Sequence, residues 1–375
     1  MPGSAVEDSA KRLAYVRRRK QGAVLGPVSC VLLAVLLSFV QSGCRRKEKE
    51  IVAGEAGFLK GQLHLHSSNS GDSSTAPADV VRWYESHKYD FIVFTDHERI
   101  TTLPSTASML VIPGVELTQN LKRCEPPAPP GLWCLLHVNA LFVTPPANGA
   151  VPWPPAGGID RLGRYRRALA VTRTLGGIAQ LNHPNFDYSL DAPLVTELAR
   201  AGPLLLEIAN QVWDSNNDPQ DGNHPSTEAI WDAVLSAGID VFGTATDDAH
   251  HYDDAPEARA RREPVYVGDL GFVMVRARKE PGAIRQALAK GDFYASTGVL
   301  LKRIDRSAVT LDIEVADRAP GSHQFAFIGK GGRVLARAEG RRASFRLVEA
   351  AGGYVRAVVT DSQGRKAWIQ PVRVL

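Results

Sequence analysis

Apolar and polar positions fall into two textures along this chain. From residue 58 to about residue 290, short apolar runs of strand length are separated by amphipathic stretches of helical length. Residues 58–66 predict a strand. A helix starts at Pro77 and runs through residues 78–84, with proline at an early helical position where its missing N–H costs little. Residues 90–95, 109–116 and 135–143 predict strands, and the continuous apolar character of 90–95 suits a strand covered on both faces. Residues 159–175 predict a basic amphipathic helix stopped by Gly176-Gly177. A strand at 178–181, a helix at 193–201, a strand at 204–208, a helix at 226–237, a strand at 239–244 and a helix at 281–290 complete the run. Strands that alternate with helices at this spacing indicate a parallel α/β sheet or barrel.

After residue 302 the period changes. Residues 309–315, 324–328, 343–348, 354–359 and 367–374 alternate apolar with polar, and glycine-rich turns separate them. Residues 302–375 therefore predict a small antiparallel β domain, sandwich-like in form, behind a larger domain over residues 57–301.

Upstream, Lys11, Arg12, Arg17, Arg18, Arg19 and Lys20 lead into an apolar run over residues 23–40, which ends at Gln41-Ser42-Gly43-Cys44. A charged region, a hydrophobic region and small residues are the layout of an export signal. The ending over residues 1–44 resembles a bacterial lipoprotein signal, in which Cys44 is lipidated and becomes the new N-terminus. Gln41 stands where such signals usually carry Leu, Val or Ile. A run of this length can also just span a bilayer, so an uncleaved anchor is one alternative, and cleaved soluble export is another. All three place the rest of the chain outside the cytoplasm, since positive charge stays inside. The first two attach it to a membrane, facing the periplasm or the cell exterior. Residues 45–56 are charged and small, and form a tether.

Hydrophobic residues make up 44 % of the chain, enough for a sizeable core. The net charge is only +4, and much of it sits in the N-terminal block, so no nucleic-acid-binding surface is expected. Two of the four cysteines, Cys124 and Cys134, flank a proline-rich loop. In an oxidising compartment they could close a disulfide; two free thiols are the alternative.

Six of the ten histidines sit in short clusters with carboxylates, most of them at the end of an apolar run. They are His64-Leu65-His66, Asp96-His97, Glu116, His137, His183 and Asp248-Ala249-His250. Imidazole and carboxylate supply the N and O ligands of a divalent cation. A His-x-His at a strand end turns both rings to one side, because side-chain direction has period two. Each cluster alone is as compatible with polar surface as with a site; their joint occurrence indicates a polynuclear metal centre. His87, His224 and His323 read as helix-end or turn surface, and His251 as a neighbour of the centre. No Gly-x-Ser-x-Gly elbow and no Walker loop occurs.

The order Leu-His-Leu-His, then Asp72, Thr-Asp-His, Gly-Val-Glu, His137, Asn-His-Pro and Asp-Asp-Ala-His resembles the polymerase and histidinol phosphatase (PHP) superfamily over roughly residues 57–300. Gly114-Val115-Glu116-Leu117-Thr118, His137-Val138-Asn139-Ala140-Leu141 and Phe293-Tyr294-Ala295-Ser296-Thr297-Gly298 are similar to the branch that includes carbaryl hydrolase. The resemblance implies a distorted seven-stranded β/α barrel with two or three divalent ions: Zn, Mn or Fe. It assigns a first metal to His64, His66, Glu116 and Asp248. A second would share Glu116 and add His137 and His183, and a third would take Asp72, His97 and His250. The segment around Asp72 departs from the usual Ser-Asp-Gly order. Gln62 stands where the family commonly has Asp. Asp96 and Asp247 would orient imidazoles, or else cap strand ends.

The expected activity is hydrolysis by metal-activated water at His64, His66, Glu116 and Asp248. A small phosphoester is the first substrate class and an amide, ester or carbamate the second. Arg99, just after His97, is the one arginine expected to meet a phosphate. A non-catalytic, metal-stabilised surface binding protein is the alternative of another class.

Overall fold

The computed structural model describes residues 57–153, 158–316 and 321–374. The export signal, Cys44 and the tether lie outside the described residues.

The elements run β1 (Phe58–Gln62), α1 (Pro77–Ser86), β2 (Phe91–Phe94), β3 (Leu110–Leu121), β4 (Cys134–Leu141), α2 (Arg161–Thr174), β5 (Ile178–Leu181) and α3 (Ala192–Ala199). Then come β6 (Leu204–Asn210), α4 (Thr227–Ser236), β7 (Phe242–Thr246), α5 (Ala255–Ala260), β8 (Phe272–Arg276), α6 (Pro281–Lys290) and β9 (Phe293–Ser296). The C-terminal strands are β10 (Leu301–Arg306), β11 (Thr310–Val315), β12 (His323–Gly329), β13 (Arg333–Glu339), β14 (Arg342–Arg346), β15 (Gly353–Asp361) and β16 (Lys366–Val374).

Local chemistry accounts for the helix ends. The carboxylate of Asp160 accepts the amide of Gly163 at 2.6 Å and starts α2. The hydroxyl of Ser226 does the same for Ala229 at 3.1 Å and starts α4. Gly291 closes α6 with φ +71°, a left-handed conformation that favours glycine.

Thirteen strands form one mixed sheet in the order β13-β12-β15-β16-β9-β8-β1-β2-β3-β4-β5-β6-β7. Where a seven-stranded barrel and a C-terminal β domain were expected, β1–β7 are seven consecutive members of this larger mixed sheet. The strands after residue 302 prolong the large sheet, because β9 pairs antiparallel with β16. The sheet is not wholly parallel either: β3, β4 and β5 run antiparallel in turn. The loop over residues 122–133 that joins β3 to β4 carries no crossover helix, as suits an antiparallel pair. Within this sheet, Asp248 beyond β7 donates its amide to His64 O at 3.0 Å, and His66 donates to Ala249 O at 2.9 Å. The outlet of β7 thus lies beside the outlet of β1.

The antiparallel expectation for the C-terminal strands holds, and they bury a core of their own. β10, β11 and β14 form a separate three-stranded sheet. Its Leu311, Ile313 and Phe345 pack with Phe325, Phe327 and Val355 of the large sheet. Cys124 and Cys134 form a disulfide that closes the loop between β3 and β4. His323, expected in a turn, is instead buried at the start of β12.

Candidate metal centre

The strands deliver the ligand candidates to one place. His64 and His66 follow β1 and His97 follows β2; Glu116 lies in β3 and His137 in β4; His183 follows β5; Asp248 and His250 follow β7. His64 and His66 are fully buried, and so are Leu63 and Leu65 between and beside them. The leucines enter two separate apolar clusters while the imidazoles face the centre.

All nine predicted ligands converge. They form three groups: His64, His66 and Asp248; Glu116, His137 and His183; His66, Asp72, His97 and His250. His66 belongs to two groups, which differs from the expected division, where it served only the first metal. Glu116 sits between groups. Its Oε2 lies 3.4 Å from Nε2 of both His64 and His66 and 3.0 Å from Nδ1 of His97. Its Oε1 lies 3.0 Å from Nδ1 of His137 and 3.7 Å from Nε2 of His183. Asp248 Oδ1 lies 3.2 Å from His64 Nε2 and 3.1 Å from His66 Nε2. Asp72 Oδ2 lies 2.9 Å from His97 Nε2 and 3.2 Å from His250 Nε2. The side chain of Asp72 is 37 % exposed whereas that of Glu116 is 1 % exposed. The centre therefore has a buried floor and opens to solvent at the Asp72 side.

Acceptors behind the rings fix which nitrogen faces inward. Nδ1 of His64 lies 2.7 Å from Oε1 of Glu207. Burial works against ionisation of Glu207, but His64 and His183 hold its pKa below the usual carboxylate range. A carboxylate only accepts, so Nδ1 of His64 carries the proton and Nε2 offers a lone pair. Likewise, Nε2 of His137 meets Asn120 Oδ1 at 2.7 Å, and Nδ1 of His250 meets the carbonyl of Asp248 at 2.8 Å. The buried Nε2 atoms of His64 and His66 have no hydrogen-bond partner of good geometry in the protein, nor has Nδ1 of His183. Orphaned imidazole nitrogens beside ionised carboxylates are the donor set a divalent cation satisfies. The residues present fit the metal that the sequence implied.

The charges agree. Burial alone would raise the pKa of Glu116, but His64, His97 and His137 hold it well below the usual range. His64, His66 and His250 do the same for buried Asp248. Burial also disfavours charge on His64, yet Asp248, Glu207 and Glu116 raise its pKa. His66 is lowered by burial and by the facing His250 and His97.

Several supporting residues escaped the sequence reading. Glu207 also accepts the amide of His183 at 2.6 Å, the hydroxyl of Thr246 at 2.7 Å and the amide group of Asn210 at 3.0 Å. Asn210 donates onward to Asp248 Oδ2 at 3.1 Å. Asn182 donates to Glu116 Oε1 at 2.9 Å and to Asn139 Oδ1 at 2.9 Å. The available signal was a lone carboxylate inside the apolar run Leu204-Leu205-Leu206-Glu207-Ile208.

Asp96 and Asp247 were expected either to orient imidazoles or to cap strand ends, and their partners are backbone amides and neutral side chains. Asp96 accepts the amide of Ser67 at 2.6 Å, the Ser67 hydroxyl, and the hydroxyl of Thr101. Asp247 accepts the amides of Asp269, Leu270 and Gly271, each at 2.8 Å, and Gln62 Nε2 at 2.5 Å. Strand-end capping is what these bonds describe. Gln62 also takes the amide of His64 at 3.1 Å. Arg99 is exposed, and among the described residues no hydrogen bond or ion pair of its side chain joins the cluster.

No protein-family model matches the chain, and no curated protein matches it. Among solved structures, it is similar to a two-domain protein from Bacteroides vulgatus that contains a predicted PHP-like metal-dependent phosphoesterase. That match has 19 % identity and a TM-score of 0.43, and covers 84 % of this chain and 95 % of the other. An amidohydrolase from Chromobacterium violaceum, solved with bound sulfate and no metal, matches at 15 % identity and a TM-score of 0.33. It covers 51 % of this chain and 87 % of its own. Likenesses this loose carry no weight for function, which rests on the geometry of the centre.

Proposed function

We propose that the chain is a metal-dependent hydrolase with a di- or trinuclear site. The observation that carries this is the convergence of six imidazoles and three carboxylates, with the buried Nε2 atoms of His64 and His66 left unpartnered. His64, His66, Glu116 and Asp248 would hold one cation. Glu116, His137 and His183 would hold a second, and Asp72, His97 and His250 a third. Such cations supply Lewis acidity, which makes water a better nucleophile near neutral pH and offsets charge building on a substrate oxygen. The chain's own residues set the conditions. Glu207 and Asn210 fix His64 and Asp248, Asn182 fixes Glu116, and the half-exposed Asp72 side admits a substrate to an otherwise buried floor.

A small phosphoester is the first substrate class, supported by the order of the ligand motifs. An ester, amide or carbamate is the second. One observation favours it: Arg99, the one arginine expected to meet a phosphate, is exposed, and among the described residues no hydrogen bond or ion pair of its side chain joins the cluster. Zn, Mn and Fe all suit this donor set. We also place the chain at a membrane after export, attached through Cys44 or an uncleaved anchor. That rests on the sequence, and Cys44→Ser would release a lipidated protein from the membrane fraction.

The test is turnover of paired phosphoester and carboxyl-ester substrates by metal-loaded protein. Glu116→Ala should reduce turnover at least about 100-fold, since it removes the carboxylate between groups. Activity unchanged in Glu116→Ala and His64→Ala would contradict the hydrolase reading and favour a metal-stabilised binding protein.

A further inference from the structure

Asp214 differs from the other acidic groups around the centre. Asp72, Glu116 and Asp248 face imidazoles, and Asp96, Asp247 and Glu207 are filled by donors. Asp214 Oδ2 accepts the hydroxyl of Tyr266 at 3.3 Å, while its Oδ1 is buried without a hydrogen-bond partner. Its position is fixed from two sides. Its loop leaves β6 at Asn210, the residue that holds Asp248. Asn210 Oδ1 takes the amide of Val212 at 3.0 Å, and Ser215 donates its hydroxyl to the Asn210 carbonyl at 2.8 Å. On the other side the Tyr266 ring stands edge-on to His250, with centroids 5.5 Å apart. Asp214 thus connects the loop anchored on Asn210, which holds Asp248, to the tyrosine that stands against His250, and it is not one of the centre's ligands.

We propose that Asp214 donates the proton to the leaving group in the hydrolytic step; this rests on the hydrolase reading above. The oxygen of the attacking water forms the new bond to phosphorus or carbonyl carbon. The bond to the leaving oxygen breaks and its electron pair stays on that oxygen, which takes the proton of the Asp214 carboxyl. The attacking water releases one proton to solvent, and solvent reprotonates the carboxylate, so one water is consumed. Burial raises the Asp214 pKa, which suits a carboxyl that has a proton to give.

The experiment uses full-length metal-loaded wild type and Asp214→Asn with p-nitrophenyl and phenyl esters of phosphate and of acetate. p-Nitrophenolate departs readily without a proton; phenolate needs one. Asp214→Asn should keep its bound metal and its p-nitrophenyl rate within about 3-fold. It should lose about 100-fold or more on the phenyl ester, the usual range for a lost general acid. Asp214→Glu should recover part of that loss. In the wild type the phenyl rate should fall at alkaline pH while the p-nitrophenyl rate does not. Equal losses on both esters, no loss on either, loss of metal, or parallel pH profiles in the wild type would overturn the assignment. No turnover of any ester by the loaded wild type would overturn the hydrolase reading, and this role with it.

Discussion

One contact at His64 decides how its ring can be used. Glu207 holds Nδ1 at 2.7 Å and so turns Nε2 toward Asp248 and Glu116, where it can offer its lone pair once a cation displaces the proton. Glu207→Gln keeps the volume but can present either a donor or an acceptor, so the tautomer is no longer imposed. Metal affinity should fall about 10- to 100-fold, the usual effect of losing a group that orients a ligand. Titration with Zn or Mn by calorimetry checks this, and an unchanged affinity would show that Glu207 serves packing only. At this scale eight of the nine converging residues stood out in the sequence, because imidazoles and carboxylates at strand ends are chemically unusual, and Asp72 came only from the family resemblance. Glu207 did not stand out, since a strand gives no sign of which buried residue its side chain will meet. Asp96 and Asp247 could not be assigned either. Their neighbours Ser67 and Leu270 are far away in sequence, so capping and imidazole contact look alike there.

Among the elements, the junction between α4 and the C-terminal strands holds a buried ion pair at its centre, with Glu228 meeting Arg356 and Lys366 beside it. Arg356 of β15 is 1 % exposed and meets both oxygens of Asp232 at 2.7 Å, while Tyr354 donates to the same carboxylate at 2.7 Å. Arg356→Ala leaves Asp232 without its buried counter-charge and should cost about 3–5 kcal/mol in denaturant unfolding. A loss below about 1 kcal/mol would mean that water replaces the arginine. At the loop between β3 and β4, reducing the Cys124–Cys134 disulfide or replacing it by two serines should lower stability by roughly 2–3 kcal/mol. Most strands and helices between residues 58 and 290 were legible from periodicity and caps. β8, β9, β10, β13 and α5 were not read as elements, and of these the largely exposed Arg333–Glu339 lacks a buried face of large apolar side chains.

At the scale of the whole molecule, the mixed sheet is what the sequence could not show. Alternating strands and helices imply parallel neighbours, but pairing of β9 with β16 depends on residues more than seventy apart in the chain. That sheet carries the strand ends to one centre, so metal binding and stability are coupled. The pH dependence follows by sign. Without cations, His64, His97, His183 and His250 have raised folded pKa values and outnumber the two lowered imidazoles, His66 and His137. Stability from a raised group is fully present below its unfolded value of about 6.5 and is lost as pH rises through the folded value. Glu116 and Asp248 are depressed, so their contribution is present above about pH 4.5 and is lost as pH falls through their folded values. With cations bound the imidazoles must be neutral, and affinity rises with pH. Thermal unfolding from pH 6 to 8 should therefore show Tm falling with pH in chelator and rising with pH in excess Zn or Mn. The same slope in both conditions would mean that the cluster is not a metal site.

The most direct test of the central claim is the metal content of the purified chain by elemental analysis, before and after dialysis against Zn or Mn. The three groups of ligands predict at least two tightly held equivalents per chain, falling to one or fewer in Glu116→Ala. Less than half an equivalent in the wild type after loading would contradict the metal centre, and with it the hydrolase.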